Sequence, residues 1–142
     1  MLLIKYKLKE NQYGIGVYAD EFIPKGTLVG KFFPEFDKVL HEEDIINSPE
    51  QIKKYFIDHA YKDKFLNIYV LNTDGGAYVN HSFTPNVETT SNGIYASENI
   101  EIDEEILINY NSFEVYPDKD NILHVLCEVD NFDINYRKSL WF

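Results

Sequence analysis

The chain has 142 residues, enough for one domain around one core, with 44% apolar and 15% aromatic residues, the latter including 11 Tyr and 10 Phe. Its 24 acidic and 13 basic side chains leave a net charge of −11, which repels phosphate backbones and anionic membranes and argues against direct nucleic-acid or membrane binding. No apolar run approaches the roughly 18 to 20 residues of a membrane span, and the lone Cys127 excludes an internal disulfide and a cysteine-based zinc cluster.

Short strands dominate in chain order. MLLIKYKLKENQYG alternates and carries charge early, so it reads as a strand over 2–8 and not as a signal peptide. A second extended piece covers 16–19. Ile23-Pro24-Lys25-Gly26 is a turn, because Pro fixes its own φ and Gly accepts a positive one, and a strand follows over 28–33. Ser48-Pro49-Glu50-Gln51 opens a helix to about residue 59, with Ser48 as N-cap, Pro49 at the first helical position and Gln51 closing a capping box. Residues 65–71 form a strand that Asp74-Gly75-Gly76 breaks. Strands 87–90 and 93–96 flank a hairpin turn at Ser91-Asn92-Gly93, and 105–110 is the next strand. An apolar run follows over 122–129, with a short helix opening at Asp133. The expected class is mainly β, with several short sheets and one or two short helices. An intracellular, reducing home is the default for one unpaired cysteine and no secretory signal; cytoplasmic, nuclear and host-delivered settings all fit.

The stretch YVNHSFTPN, residues 78–86, sets polar Asn, His and Ser after an apolar residue and before a Pro-Asn turn. By itself it fits a hydrogen-bonded structural turn. A metal site needs three or more ligands, and His41, His59 and His124 offer no ligand spacing, so no metal is expected. A serine hydrolase would place its Ser in G-x-S-x-G, which is absent from the sequence. Asn80-His81-Ser82 also matches a glycosylation sequon, which means little without a secretory signal. Glu104 and Glu105 do not form a glycosidase pair, because adjacent strand residues face opposite ways.

Three segments taken together point elsewhere: YGIGVYADEFIPKGTLVGKF over 13–32, GGAYVNHSFTPN over 75–86 and ASENIEIDEEILINYNSF over 96–113. In this order they resemble the SET-domain family of protein-lysine methyltransferases: its G-x-G turn with I-P-x-G, its N-H-S-x-x-P-N motif, and its x-I-x-x-G-E-E-L-x-x-x-Y motif ending at Tyr110. The resemblance covers residues 1–113, at the spacing of the compact viral and bacterial members. It implies a β-clip-like SET fold whose third segment is threaded, pseudoknot-like, past the second. Residues 114–142 are then a C-terminal extension that covers the site or makes a homodimer contact.

The resemblance also implies the chemistry. The cofactor is S-adenosylmethionine, held by Gly14, Ile15 and Gly16 through main-chain contacts and by Asn80 and His81 at its amino and adenine ends. Asn80→Ala is accordingly expected to affect folding and binding together. Tyr110 is the expected catalytic residue, aligning a neutral lysine amine with the methyl group in a narrow aromatic channel. Tyr69, Phe113 and Tyr116 are expected to line the lysine site. The partner is a basic, lysine-bearing protein or peptide, histone-like or ribosomal, which the acidic surface would steer inward. A catalytically silent SET-like module that grips a basic peptide is the rival reading, and a chance match on an unrelated β-fold is a third. The chain departs from the family pattern at Ala77, where many members carry Arg, and at Asp103, which replaces the glycine of the third motif. Cys127 stands alone, so the zinc-binding post-SET segment of other members is not expected.

Overall fold

The computed structural model describes residues 1–115, 121–123 and 126. Four small sheets carry the fold. Strands β1 (Tyr6–Asn11) and β2 (Gly14–Ala19) form an antiparallel hairpin in which Asn11 pairs with Gly14 across the turn. Gly14 has φ +119, a conformation that penalises any Cβ. The first strand thus starts at Tyr6, later than the alternation over 2–8 indicates. Leu2 and Leu3 belong elsewhere: Leu2 bridges to Gly30, and the Leu3 N–H donates to the Val29 carbonyl at 2.8 Å.

The second sheet has the order β3 (Leu28–Gly30), β9 (Gly93–Ala96), β8 (Val87–Thr90), with the β8–β9 hairpin where the sequence places it. The strand expected over 28–33 stops at Gly30. Beyond it the chain turns, and the buried Asp37 carboxylate accepts the Phe33 N–H at 2.9 Å.

The third sheet, ordered β4 (Lys38–Leu40), β6 (Ile68–Leu71), β5 (Ala60–Asp63), carries two strands not expected from the sequence. Helices α1 (Glu42–Ile46) and α2 (Glu50–His59) connect β4 to β5. The expected capping box at α2 is not formed. Pro49 occupies the N-cap without a side-chain cap, and the Ser48 hydroxyl turns back to donate to the Asp44 carbonyl at 2.5 Å. Helix α1 ends immediately before Ser48, so its unpaired carbonyls are the nearer acceptors. Asp74-Gly75-Gly76 opens one 3-10 turn, Gly75–Tyr78, capped by the Asp74 side chain.

The fourth sheet is the crossing. Strand β7 (Asn80–His81) pairs in parallel with β10 (Leu107–Ile108), Asn80 opposite Leu107 and His81 opposite Ile108. On its way there the 103–106 segment runs along β2: the Ala19 N–H donates to the Glu104 carbonyl at 2.9 Å and the Ile106 N–H to the Val17 carbonyl at 2.8 Å. This is the mainly β, many-sheeted architecture expected, with the third motif laid between the first and second.

Two cores flank the crossing. One gathers Val17, Ala19, Ile23, Val29, Val87, Ala96, Ile100, Ile106 and Ile108; the other gathers Leu40, Ile45, Ala60, Tyr69 and Leu123. Each buried Val, Ile or Leu contributes roughly 1.5–3 kcal/mol, so the apolar alternation of β2, β9 and the 100–108 segment is what brings the three motifs together. Among the described residues no helix is long and apolar enough to cross a membrane.

Candidate functional site

The Asn80–Asn86 turn is fastened to the third motif by side chains standing in for a ladder. Asn86, 4% exposed, donates from Nδ2 to the Glu105 carbonyl at 2.8 Å and accepts the Leu107 N–H on Oδ1 at 2.9 Å. The Ser82 N–H donates to the Ile108 carbonyl at 2.9 Å. The polar cluster therefore satisfies backbone groups that would otherwise be buried without partners.

His81 ties this turn to Tyr110. Its Nδ1 accepts the Tyr110 N–H at 3.1 Å, and the two rings lie 5.1 Å apart. That bond requires a neutral imidazole with its proton on Nε2. Burial pushes the His81 imidazole below its ordinary 6.5 and so favours the form that the geometry needs. The exposed Phe83 ring stacks edge-on against His81 at 4.6 Å.

Asn80 faces the other way, toward the glycine strand. Its Nδ2 donates to the Glu105 carboxylate at 2.8 Å and to the Ile15 carbonyl at 3.3 Å. Glu105 also accepts from Asn11 Nδ2 at 2.9 Å and from the Tyr18 hydroxyl at 3.3 Å. Gly16 sits inside this network. A Cβ there would overlap the Glu105 carboxylate and stand 2.7 Å from Asn11 Nδ2 and 3.1 Å from Asn80 Nδ2. Glu104, the neighbouring acid, accepts the Glu101 N–H at 2.9 Å and Asn86 Nδ2 at 3.3 Å and makes no bond to Asn80 or Asn11, consistent with opposite facing.

A cavity of about 280 Å³ opens on the far side of the 79–81 segment. Successive residues of extended backbone face opposite ways; Val79 lines the cavity whereas Asn80 meets Ile15 and Glu105. Tyr110 forms part of the wall, and its hydroxyl donates to the Val79 carbonyl at 2.7 Å. A phenol that gives its proton to a carbonyl presents an acceptor oxygen. Phe113 stacks edge-on against Tyr110 at 5.9 Å and against Tyr61 at 4.9 Å. Burial, with Asp63, Asp37 and Glu114 nearby, pushes the Tyr61 phenol upward, so it stays neutral. The lining carries the acids Asp58, Asp63 and Glu114 together with the base Lys31 and the N-terminal Met1.

Of the expected site residues, the structure brings Gly16, Asn80, His81 and Tyr110 into one connected set, with Gly14 and Ile15 on the same strand. Phe113 joins Tyr110 in the cavity. Tyr69 does not belong with them. It is 5% exposed in the second core, its hydroxyl donating to Glu42 at 3.2 Å and accepting the Ile122 N–H at 2.8 Å, and it is absent from the cavity wall. Its hydroxyl is thus engaged by Glu42 and Ile122 inside the second core, apart from the Tyr110 wall. Tyr116 lies outside the described residues, as do Cys127, His124, the helix expected at Asp133 and most of the C-terminal extension. The sequence reading missed Glu105, whose partners lie up to 94 positions away, and Tyr61. The alternation of the adjacent glutamates was the one local signal for Glu105. Among the described residues, no three His, Cys, Asp or Glu side chains group as metal ligands.

A family model described as SET domain matches residues 14–111. No curated protein matches significantly. Among solved structures, a Plasmodium falciparum protein described as a candidate histone methyltransferase is 26% identical, with 77% of this chain and 95% of that chain covered and a TM-score of 0.53. An active polycomb repressive complex 2 in the basal state is 17% identical over 75% of this chain, TM-score 0.58. An apo ctPRC2 with substitutions in Ezh2 is 16% identical over 78%, TM-score 0.60. The aligned region is 15% of each of those two chains, and at such identity they speak to the fold alone.

Proposed function

The chain belongs to the SET-domain family, and from that premise we propose that it is an S-adenosylmethionine-dependent protein-lysine methyltransferase acting on a basic protein. One observation carries the reading. A glycine strand and an asparagine on one side of the 79–81 segment are joined through His81 to a tyrosine at the wall of an aromatic cavity on the other. A cofactor face and a substrate face separated by one extended segment are what a direct transfer between two ligands needs.

The residues on the cofactor face fit the group. Among the described residues, Asn80 Oδ1 accepts from no protein donor, both amide protons being spent on Ile15 and Glu105. Ile15, 47% exposed, lies beside Gly14 on this strand. Gly14, Ile15, Gly16, Asn80 and His81 would hold S-adenosylmethionine, which supplies, when bound, an electrophilic methyl on a sulfonium sulfur.

On the other face the chain's own residues prepare the amine. A lysine has a reference pKa of about 10.4 and must lose its proton to attack. Phe113, Tyr61, Phe65 and Val79 remove water from it, which disfavours the charged form; lowering the pKa by about 2 units corresponds to roughly 3 kcal/mol. The Tyr110 oxygen, fixed by its bond to Val79, accepts an amine N–H and aims the nitrogen, so that catalysis is mostly positioning. The net charge of −11 favours a cationic substrate segment.

The test is incubation with labelled methyl donor and a mixture of basic proteins, comparing wild type with Tyr110→Phe. Wild type should label lysine, and the variant should be slower by about 100-fold, the usual effect of a positioned proton-handling group. Equal labelling by both would defeat the role of Tyr110. Donor binding by calorimetry without any labelling would favour the silent peptide-binding module.

A further inference from the structure

Resting on the methyltransferase reading, we propose that Glu105 is a positioning residue: it fixes the Asn80 amide so that Oδ1 faces outward as the acceptor for a ligand ammonium group. An ionised carboxylate has only acceptors. Glu105 therefore selects the NH2 end of each amide that reaches it, Asn80 at 2.8 Å and Asn11 at 2.9 Å. The two amides differ in what remains. Asn11 Oδ1 takes the Tyr13 N–H at 2.8 Å, whereas Asn80 Oδ1 takes no donor among the described residues. Reversing the Asn80 amide would set its oxygen against the Glu105 carboxylate and the Ile15 carbonyl, three acceptors together. The orientation is thus imposed by charge. A carboxylate behind the amide also polarises it and strengthens the bond that Oδ1 can accept. An ammonium is the partner of matching charge and donor capacity. Glu105 accepts from Asn11, Tyr18 and Asn80 in this arrangement.

The experiment is calorimetry with S-adenosylmethionine and S-adenosylhomocysteine, which carry an α-ammonium, and with 5′-methylthioadenosine, which lacks the amino-acid end. Glu105→Gln should weaken the first two by about 10-fold, in line with the loss of one charge-assisted bond, and leave the third within about twofold. A merely structural role would move all three ligands together. The paired change Asn80→Asp with Glu105→Gln should bind the first two more tightly than Asn80→Asp alone but less tightly than wild type, because Asn11 reaches the same Glu105 oxygen as Asn80 and the Ile15 carbonyl still faces residue 80. In that pair the amide introduced in place of Glu105 can donate to the new carboxylate, whose second oxygen accepts the ammonium. Asn80→Asp alone sets two carboxylates face to face and should bind worst. If Glu105→Gln alone does not fold, the paired variant carries the same test. Unchanged affinity in Glu105→Gln, equal loss for all three ligands, or a paired variant no better than Asn80→Asp alone overturns the proposal. Wild type that binds neither S-adenosylmethionine nor S-adenosylhomocysteine overturns the methyltransferase reading, and this inference with it.

Discussion

Adding one methyl group at Gly16 should unfasten the cofactor face. The Cβ of Gly16→Ala would overlap the Glu105 carboxylate and crowd Asn11 Nδ2 at 2.7 Å and Asn80 Nδ2 at 3.1 Å. All three belong to one network, so relief requires Glu105 to withdraw and give up bonds at 2.9 and 2.8 Å. Each bond to a charged group is worth about 1.5–3 kcal/mol, while replacing a strand glycine by alanine returns about 0.5–1 kcal/mol. Glu105 is half-buried and can turn toward water, which favours the low end, a net loss of about 2 kcal/mol. At about 4 °C per kcal/mol for a domain of this size, the melting temperature should fall by about 8 °C. Binding of S-adenosylmethionine, read by calorimetry, should weaken as well, because the withdrawn Glu105 no longer holds Asn80. Gly14→Ala is the control. Nothing lies within 4 Å of its added Cβ, yet its φ of +119 strains the backbone. It should lose stability, by about 1–2 kcal/mol, while leaving the Glu105 network formed. A Gly16→Ala protein that melts and binds like wild type would refute the close approach of the three motifs.

Tyr110→Phe removes the hydroxyl bond to the Val79 carbonyl; thermal melts should show a loss of only about 1 kcal/mol, so any loss of the proposed methyl transfer is separable from unfolding. Asn86→Ala strands the Leu107 N–H and the Glu105 carbonyl in a buried position, and urea denaturation should report a loss of about 3 kcal/mol. The lowered His81 pKa carries a definite sign: the unfolded chain takes up the proton first as pH falls through 6.5, so this contribution is complete above 6.5 and declines below it. Melts from pH 7.5 to 5 should fall in wild type and flatten in His81→Gln. Lys7 and Lys9 hold the Asp103 carboxyl down at about 2, from 3.8. Its contribution is present above 3.8 and lost as pH falls toward 2, and because Asp103 is exposed, the difference from Asp103→Asn in melts between pH 4 and 2 should shrink in about 1 M salt.

The sequence made the three motif segments and the 87–96 hairpin legible, because each has local chemistry: paired glycines, a Pro-Asn turn, an Asn-Gly turn between alternating residues. Asp103 was legible as a departure, and it does stand at φ 69, where glycine would be unstrained. Strands β4 and β5 were not legible. The first is three residues long, and the second begins directly at the end of α2, with no glycine or proline between His59 and Ala60 to mark the change. Ser48 looked like a cap because S-P-E-Q fits the pattern locally; the competing acceptor on α1 is a tertiary accident of two helices meeting. The surroundings of Tyr69 were not legible, because its hydroxyl meets Glu42 and Ile122, 27 and 53 positions away. Periodicity cannot see such partners.

The crossing explains why site and fold share residues. Two strands of two residues each, paired in parallel, make a ladder too short to persist by itself. Five further bonds reinforce it: Ser82 N–H to Ile108, Asn86 N–H to Leu107, Asn86 Nδ2 to Glu105, Leu107 N–H to Asn86 Oδ1, and Tyr110 N–H to His81. At about 1 kcal/mol each, they amount to roughly 5 kcal/mol, comparable to the whole net stability of a marginal domain. Asn86 and His81 are therefore structural before they are functional, and variants there will lose stability along with any activity. Glu105 and the Tyr110 hydroxyl contribute side-chain contacts beyond that backbone junction, one on each face of the 79–81 segment. Those are the two positions where a change can remove the proposed ligand handling while the crossing stays closed, and a variant that folds but fails the proposed chemistry should be obtained there first.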